Sequence, residues 1–121
     1  MDLNHLHLMV RDIGRSRKFY ESLFGFKEKI WYGDDLLFLR NEHGFDLALS
    51  PKENPEKMPA GVHYGFSVKE PRKLAELYKQ GHALYPECFP TEPKDYGDWG
   101  TLVCQDPDGY NFEIYWDMNL V

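Results

Sequence analysis

A short pattern occurs twice in this chain and constrains its fold more than any other feature. In Asn4–Val10, NHLHLMV, the apolar Leu6, Leu8 and Val10 alternate with His5, His7 and Met9. In Val62–Val68, VHYGFSV, the residues Val62, Tyr64, Phe66 and Val68 alternate with His63, Gly65 and Ser67. Alternation of this kind belongs to a strand with one face in a core. The segment after each strand also repeats. The first strand leads into RDIGRSRKFYESLFGF, where Asp12 suits an N-cap. Ile13, Phe19, Tyr20, Leu23 and Phe24 form a helical stripe there, and Gly25 a stop. The second leads into EPRKLAELYKQG, with Pro71 early, Leu74, Leu77 and Tyr78 on the inner face and Gly81 as the expected stop.

Three strand-like runs succeed the first helix: Phe26–Trp31, Leu36–Arg40 and Phe45–Ser50, the last two joined by the turn Asn41–Gly44. The second helix gives way to less regular sequence. Two runs then flank the turn DPDG, at Thr101–Gln105 and Tyr110–Trp116. The order is therefore strand, helix, three strands, twice over. One helix covers only one face of a sheet, so each opposite face must meet a ligand cavity or a second sheet. The Pro- and charge-rich stretch at 51–61 reads as the connection between a first module at about 1–50 and a second at about 62–121.

Composition narrows the function classes. A net charge of −6 with no long basic run argues against nucleic acid or an anionic membrane as the main partner. No apolar run reaches the roughly 18 residues of a membrane span, and no secretion signal is visible. Cys88 and Cys104 match neither a redox pair nor a zinc knuckle, so two reduced thiols in a cytoplasmic protein are expected.

The polar faces of the strands carry the functional signal. In Tyr110–Trp116, Tyr110, Phe112, Ile114 and Trp116 share one face, and Asn111, Glu113 and Tyr115 the other. In Phe45–Ser50, Phe45, Leu47 and Leu49 oppose Asp46, Ala48 and Ser50. A carboxylate such as Glu113 facing a cavity would need a cation beside it. His5, His63 and Glu113 make a set of two imidazoles and one carboxylate. Such a set suits Mn, Fe(II), Ni or Zn with coordination positions left for water or substrate. Each histidine also has an ordinary reading as an exposed strand residue. His43 in its turn and His82 just past the helix are expected to be solvated, and Asp106, Asp108 and Gly109 to build a turn.

LNHLHLMVRDIGRSRKFYESLFGF at Leu3–Phe26, GVHYGFSV at Gly61–Val68 and DPDGYNFEIYW at Asp106–Trp116 together resemble the vicinal oxygen chelate superfamily. Glyoxalases, bleomycin-resistance proteins, fosfomycin-resistance enzymes and extradiol dioxygenases belong to it. The resemblance implies an α+β fold of two βαβββ modules whose curled mixed sheets form a metal-binding cleft. It puts the divalent metal on His5, His63 and Glu113. It also turns His7 toward substrate as a neighbour of the ligands, or makes His7 the ligand if the register differs. The resemblance to single-domain members implies a homodimer, with either His5 of one subunit joining His63 and Glu113 of the other or a chain closing its own two modules around the site.

Departures from the family pattern are as informative. The second carboxylate of glyoxalase I falls on Ala48, with Asp46 two residues away, and the extra dioxygenase residues have no counterparts in PKDYGDWGTLVCQ. Two functions are expected to compete. One is a metal-dependent enzyme of glyoxalase-like lyase, isomerase or transferase type acting on a small molecule. There His7, Asp46 and Tyr115 are the candidates for proton transfer or substrate contact, and a dioxygenase is the weaker fit. The other is a protein that sequesters an antibiotic or aromatic ligand without chemistry. For that reading the segment Tyr96–Gly100 could serve as a lid or as an ordinary turn.

Overall fold

In the computed structural model, which describes residues 1–120, strand β1 (His5–Val10) does not pair with its neighbour in sequence. It runs parallel to β4 (Asp46–Pro51), and β4 continues antiparallel through β3 (Leu36–Arg40) to β2 (Lys27–Tyr32). The sheet order is therefore β1-β4-β3-β2. Helix α1 (Ile13–Phe24) makes the crossover that a parallel pair requires. The second half repeats this plan. Strand β5 (Tyr64–Ser67) pairs parallel with β8 (Asn111–Asp117), followed by β7 (Trp99–Gln105) and the two-residue β6 (Lys94–Asp95). The crossover helix is α2 (Arg72–Leu84). Among the described residues, two α-helices and two four-stranded mixed sheets make an α+β fold of two βαβββ modules. The chain divides into one compact unit at Met1–Glu56 and a second beginning at Lys57.

Each unit builds its own core as the alternation predicts. In the first, Leu8, Val10, Leu37, Leu39, Leu47 and Leu49 are buried on one sheet face, against Phe19, Tyr20 and Leu23 of α1. Phe19 and Tyr20 meet edge to face at 5.1 Å, an arrangement favoured by the ring quadrupoles. The ends of α1 match their expected chemistry. The Asp12 carboxylate accepts from the Arg15 N–H, and Gly25 takes the left-handed conformation. In the second unit Leu102, Cys104, Phe112 and Ile114 form the buried face, with Leu74 and Phe89 packed in the same unit. Tyr64 stacks on Phe112 at 5.4 Å.

Two expectations for the second helix are corrected. Gly81 does not end α2, which continues to Leu84. A Cβ at Gly81 would stand 2.5 Å from the Phe89 ring, so the glycine is there to let the Phe89 ring press against the helix. His82 consequently lies in the last turn of α2 rather than beyond it. Its Nδ1 bonds the Phe89 carbonyl at 2.9 Å, and its ring stacks on Tyr78. Both corrections have one cause, the approach of Phe89 from outside the local sequence. The less regular stretch after α2 contains β6 and a 3₁₀ turn at Pro86–Cys88. No helix among the described residues is long and apolar enough to cross a membrane.

Candidate functional site

The polar faces of the two sheets are best followed row by row. In the second unit, Glu113 on β8 stands between Gly65 on β5 and Val103 on β7. A Cβ at Gly65 would come within 3.3 Å of Glu113 Cγ, so the missing side chain leaves the carboxylate its room. Thr101 on β7, which register sets opposite Tyr115, donates its hydroxyl to Glu113 Oε2 at 2.7 Å. One carboxylate oxygen is thereby satisfied. The other, Oε1, lies 3.5 Å from His63 Nε2.

The second nitrogen of His63 defines that contact. His63 Nδ1 lies 3.3 Å from the Gly61 carbonyl, a contact that favours the tautomer with the proton on Nδ1. In the neutral ring Nε2 then presents a lone pair to a carboxylate oxygen. In that tautomer the two lone pairs are placed to share a cation. The donor chemistry of the pair, one imidazole and one carboxylate with its outer oxygen tied down, fits a divalent transition metal.

In the first unit His5 and His7 share the exposed face of β1. The Nδ1 of His5 is 2.9 Å from Asn4 Oδ1, an acceptor, which leaves Nε2 of His5 with its lone pair outward. His7 Nε2 meets the Ser50 hydroxyl at 2.8 Å. Asp46, beside His5 in register, is mostly buried. Its Oδ1 accepts from Arg40 Nε at 2.7 Å and its Oδ2 from Lys29 Nζ at 3.0 Å. The Arg40 hydrogen bond, opposed by desolvation and reinforced by Lys29, holds the Asp46 carboxyl below the usual carboxylate range.

Among the sequence candidates, the structure therefore brings His63 and Glu113 together. It sets His5, His7 and Asp46 on one face of the first unit, and Tyr115 on the face of Glu113. Among the described residues no three His, Cys, Asp or Glu side chains gather into a metal-holding group. Thr101, Ser50, Arg40 and Lys29 do not stand out from the sequence. Strand alternation puts Thr101 on the Glu113 face, so its hydroxyl becomes findable once the pairing of β7 with β8 is known. Within segment Tyr96–Gly100, residues 96–98 form the tight connection between β6 and β7, and Trp99 and Gly100 begin β7. Tyr96 N–H donates to the Trp99 carbonyl at 2.9 Å, and the two rings stack at 4.4 Å.

Comparison with known proteins agrees with this architecture. A structure described as a possible glyoxalase from Bacillus cereus superposes with a TM-score of 0.79 at 24% identity, covering 94% of this chain and 97% of that one. The genomically encoded fosfomycin resistance protein FosX from Listeria monocytogenes gives 0.80 at 21%, covering 96% and 93%. A glyoxylase/bleomycin resistance protein/dioxygenase domain from Frankia sp. EAN1pec gives 0.78 at 21%, covering 97% and 92%. At these identities the likeness is one of fold. The family model for the Glyoxalase/Bleomycin resistance protein/Dioxygenase superfamily matches residues 2–114, and the chain belongs to that superfamily.

Proposed function

We propose that this protein is a divalent-metal-dependent enzyme acting on a small molecule that offers two adjacent oxygens, in a lyase, isomerase or transferase reaction. The observation that carries this reading is the contact of His63 Nε2 with Glu113 Oε1 at 3.5 Å, an imidazole nitrogen and a carboxylate oxygen spaced to share a cation. His63, Glu113 and His5 would hold the ion, with His5 supplied by the second copy of a homodimer. When bound, the ion is a Lewis acid that stabilises negative charge developing on a substrate oxygen.

The chain's own residues do the rest. Thr101 fixes the Glu113 carboxylate in one orientation through Oε2, and the Gly61 carbonyl and Asn4 amide fix the tautomers of His63 and His5. His7 and Ser50 share a proton between Nε2 and Oγ, which suits them to contact a substrate that gains or loses one. Tyr115 offers a phenol on the Glu113 face. Asp46 is already occupied by two cations, so its role in this reading is to position them rather than to take a proton.

Elemental analysis of the untagged protein, as purified and after reconstitution with Mn, Fe(II), Ni or Zn, tests the proposal. About one transition metal per chain is expected, lost in His63→Ala, because removing one of three ligands badly weakens a site. No uptake by the wild-type protein, or equal uptake by the variant, removes this function and leaves ligand sequestration in its place.

A further inference from the structure

One row of side chains crosses the whole sheet of the first unit. Register places Lys27 on β2 opposite Arg40 on β3, Arg40 opposite Asp46 on β4, and Asp46 opposite His5 on β1. Cross-strand partners point to the same face, so all four stand on the face that carries His5 and His7. A register irregularity between Glu28 and Ile30 adds a fifth member. Alternation puts Lys29 with Lys27 on this face; the bulge gives the place opposite Phe38 to Ile30 and leaves Lys29 as the extra residue, its Nζ 3.0 Å from Asp46 Oδ2. Bulges re-aim side chains in this way beside functional sites. Glu28 turns to the other side, where it meets Arg17 and Trp31.

The charge of this row is opposite to that of the molecule. The chain carries −6 overall, yet the row holds Lys27, Lys29 and Arg40 against the single carboxylate of Asp46. Asp46 spans its two neighbours and keeps them side by side, while Arg40 and Lys29 remain 47% and 37% exposed. Each has further N–H donors than the Asp46 contacts use. The next row along the sheet is Ile30, Phe38, Ala48 and His7, apolar until it reaches the histidine.

From this geometry we infer that Lys29 and Arg40, bridged by Asp46 and assisted by Lys27, bind an oxyanion group of the substrate, with Ile30, Phe38 and Ala48 under its carbon skeleton. The inference rests on the proposed function for the idea that this face meets substrate, and it narrows the substrate class to small organic anions. Guanidinium and ammonium donors held in a fixed pair are suited to carboxylate, phosphate or phosphonate oxygens. The position beside His5 would set the anion next to the chelated oxygens.

Calorimetric titration of metal-stripped, dialysed protein with inorganic phosphate and with acetate, at low ionic strength, tests the assignment. One of the two is expected to bind, phosphate identifying a tetrahedral oxyanion and acetate a carboxylate. Affinity should fall about tenfold or more in Lys29→Gln and in Arg40→Gln, and remain unchanged in Lys18→Gln on α1. Lys29 lies on an exposed edge strand, so its variant keeps the fold if Arg40→Gln does not. No binding of either anion, or binding indifferent to Lys29→Gln, overturns the inference. Metal uptake measured on the same samples separates the two claims. Anion binding without metal uptake removes the proposed function alone, and metal uptake without anion binding removes this inference alone.

Discussion

Thr101 shows how a residue that is not itself a proposed ligand can orient one that is. Its hydroxyl occupies Glu113 Oε2, so the carboxylate cannot swing and Oε1 stays aimed at His63 Nε2. Valine has nearly the same shape and no donor, so Thr101→Val should leave the fold in place and free the carboxylate. Metal affinity is expected to fall on the order of tenfold, the low end for losing an outer-shell partner. A metal titration of the variant checks this, and an unchanged affinity would mean that Thr101 does not orient Glu113. His5, His63 and Glu113 are legible in the sequence because their strands alternate cleanly. Thr101 is not, since a threonine in Thr101–Gln105 is ordinary strand composition until β8 is laid beside it. Lys29 is hidden for a different reason: alternation gives its face, but its reach to Asp46 follows from a register that a bulge shifts.

Among the elements, α1 and α2 are legible to unequal degrees. The start and end of α1 are set by residues inside its own segment, Asp12 and Gly25, so local chemistry suffices. The glycine of α2 answers instead to Phe89, which lies beyond the helix and packs on Gly81. Alanine in place of glycine ordinarily stabilises a helix interior by about 1 kcal/mol. At Gly81 the opposite is expected, because the new methyl would overlap a ring that is 1% exposed and has nowhere to move. Gly81→Ala should cost about 1–3 kcal/mol, the range for overpacking. Urea denaturation measures it, and adding Phe89→Leu to the same variant should recover part of the loss. A stabilised Gly81→Ala would show that the contact is slack. The same neighbour reaches His82, which is exposed as expected and also bonds the Phe89 carbonyl through Nδ1.

For the whole molecule, the relevant fact is that the proposed ligands are split between the two units, with His5 in the first and His63 and Glu113 in the second. If each centre draws its ligands from two subunits, two defective chains can repair one another. A dimer of one His5→Ala chain and one His63→Ala chain contains one centre missing both ligands and one that is intact. Co-refolding equal amounts of the two variants should then restore about a quarter of the wild-type metal, since half of randomly paired dimers are mixed and each has one good centre of two. Recovery of no metal from the mixture would place each centre within a single chain.

The parallel pairing of β1 with β4, and of β5 with β8, has a kinetic side as well. Neither β1 nor β5 has a strand partner until the helix and hairpin after it are in place, because the partner is the last strand of the same unit. Each unit thus closes as a ring, first strand onto last, and the slow event in its formation is the long-range closure rather than any local turn. The histidines and the glutamate stand at those seams: His5 opens β1, His63 immediately precedes β5, and Glu113 lies on β8. On the proposed function, a nascent chain would hold no assembled centre until both seams had zipped, and metal capture would report a step that follows both closures.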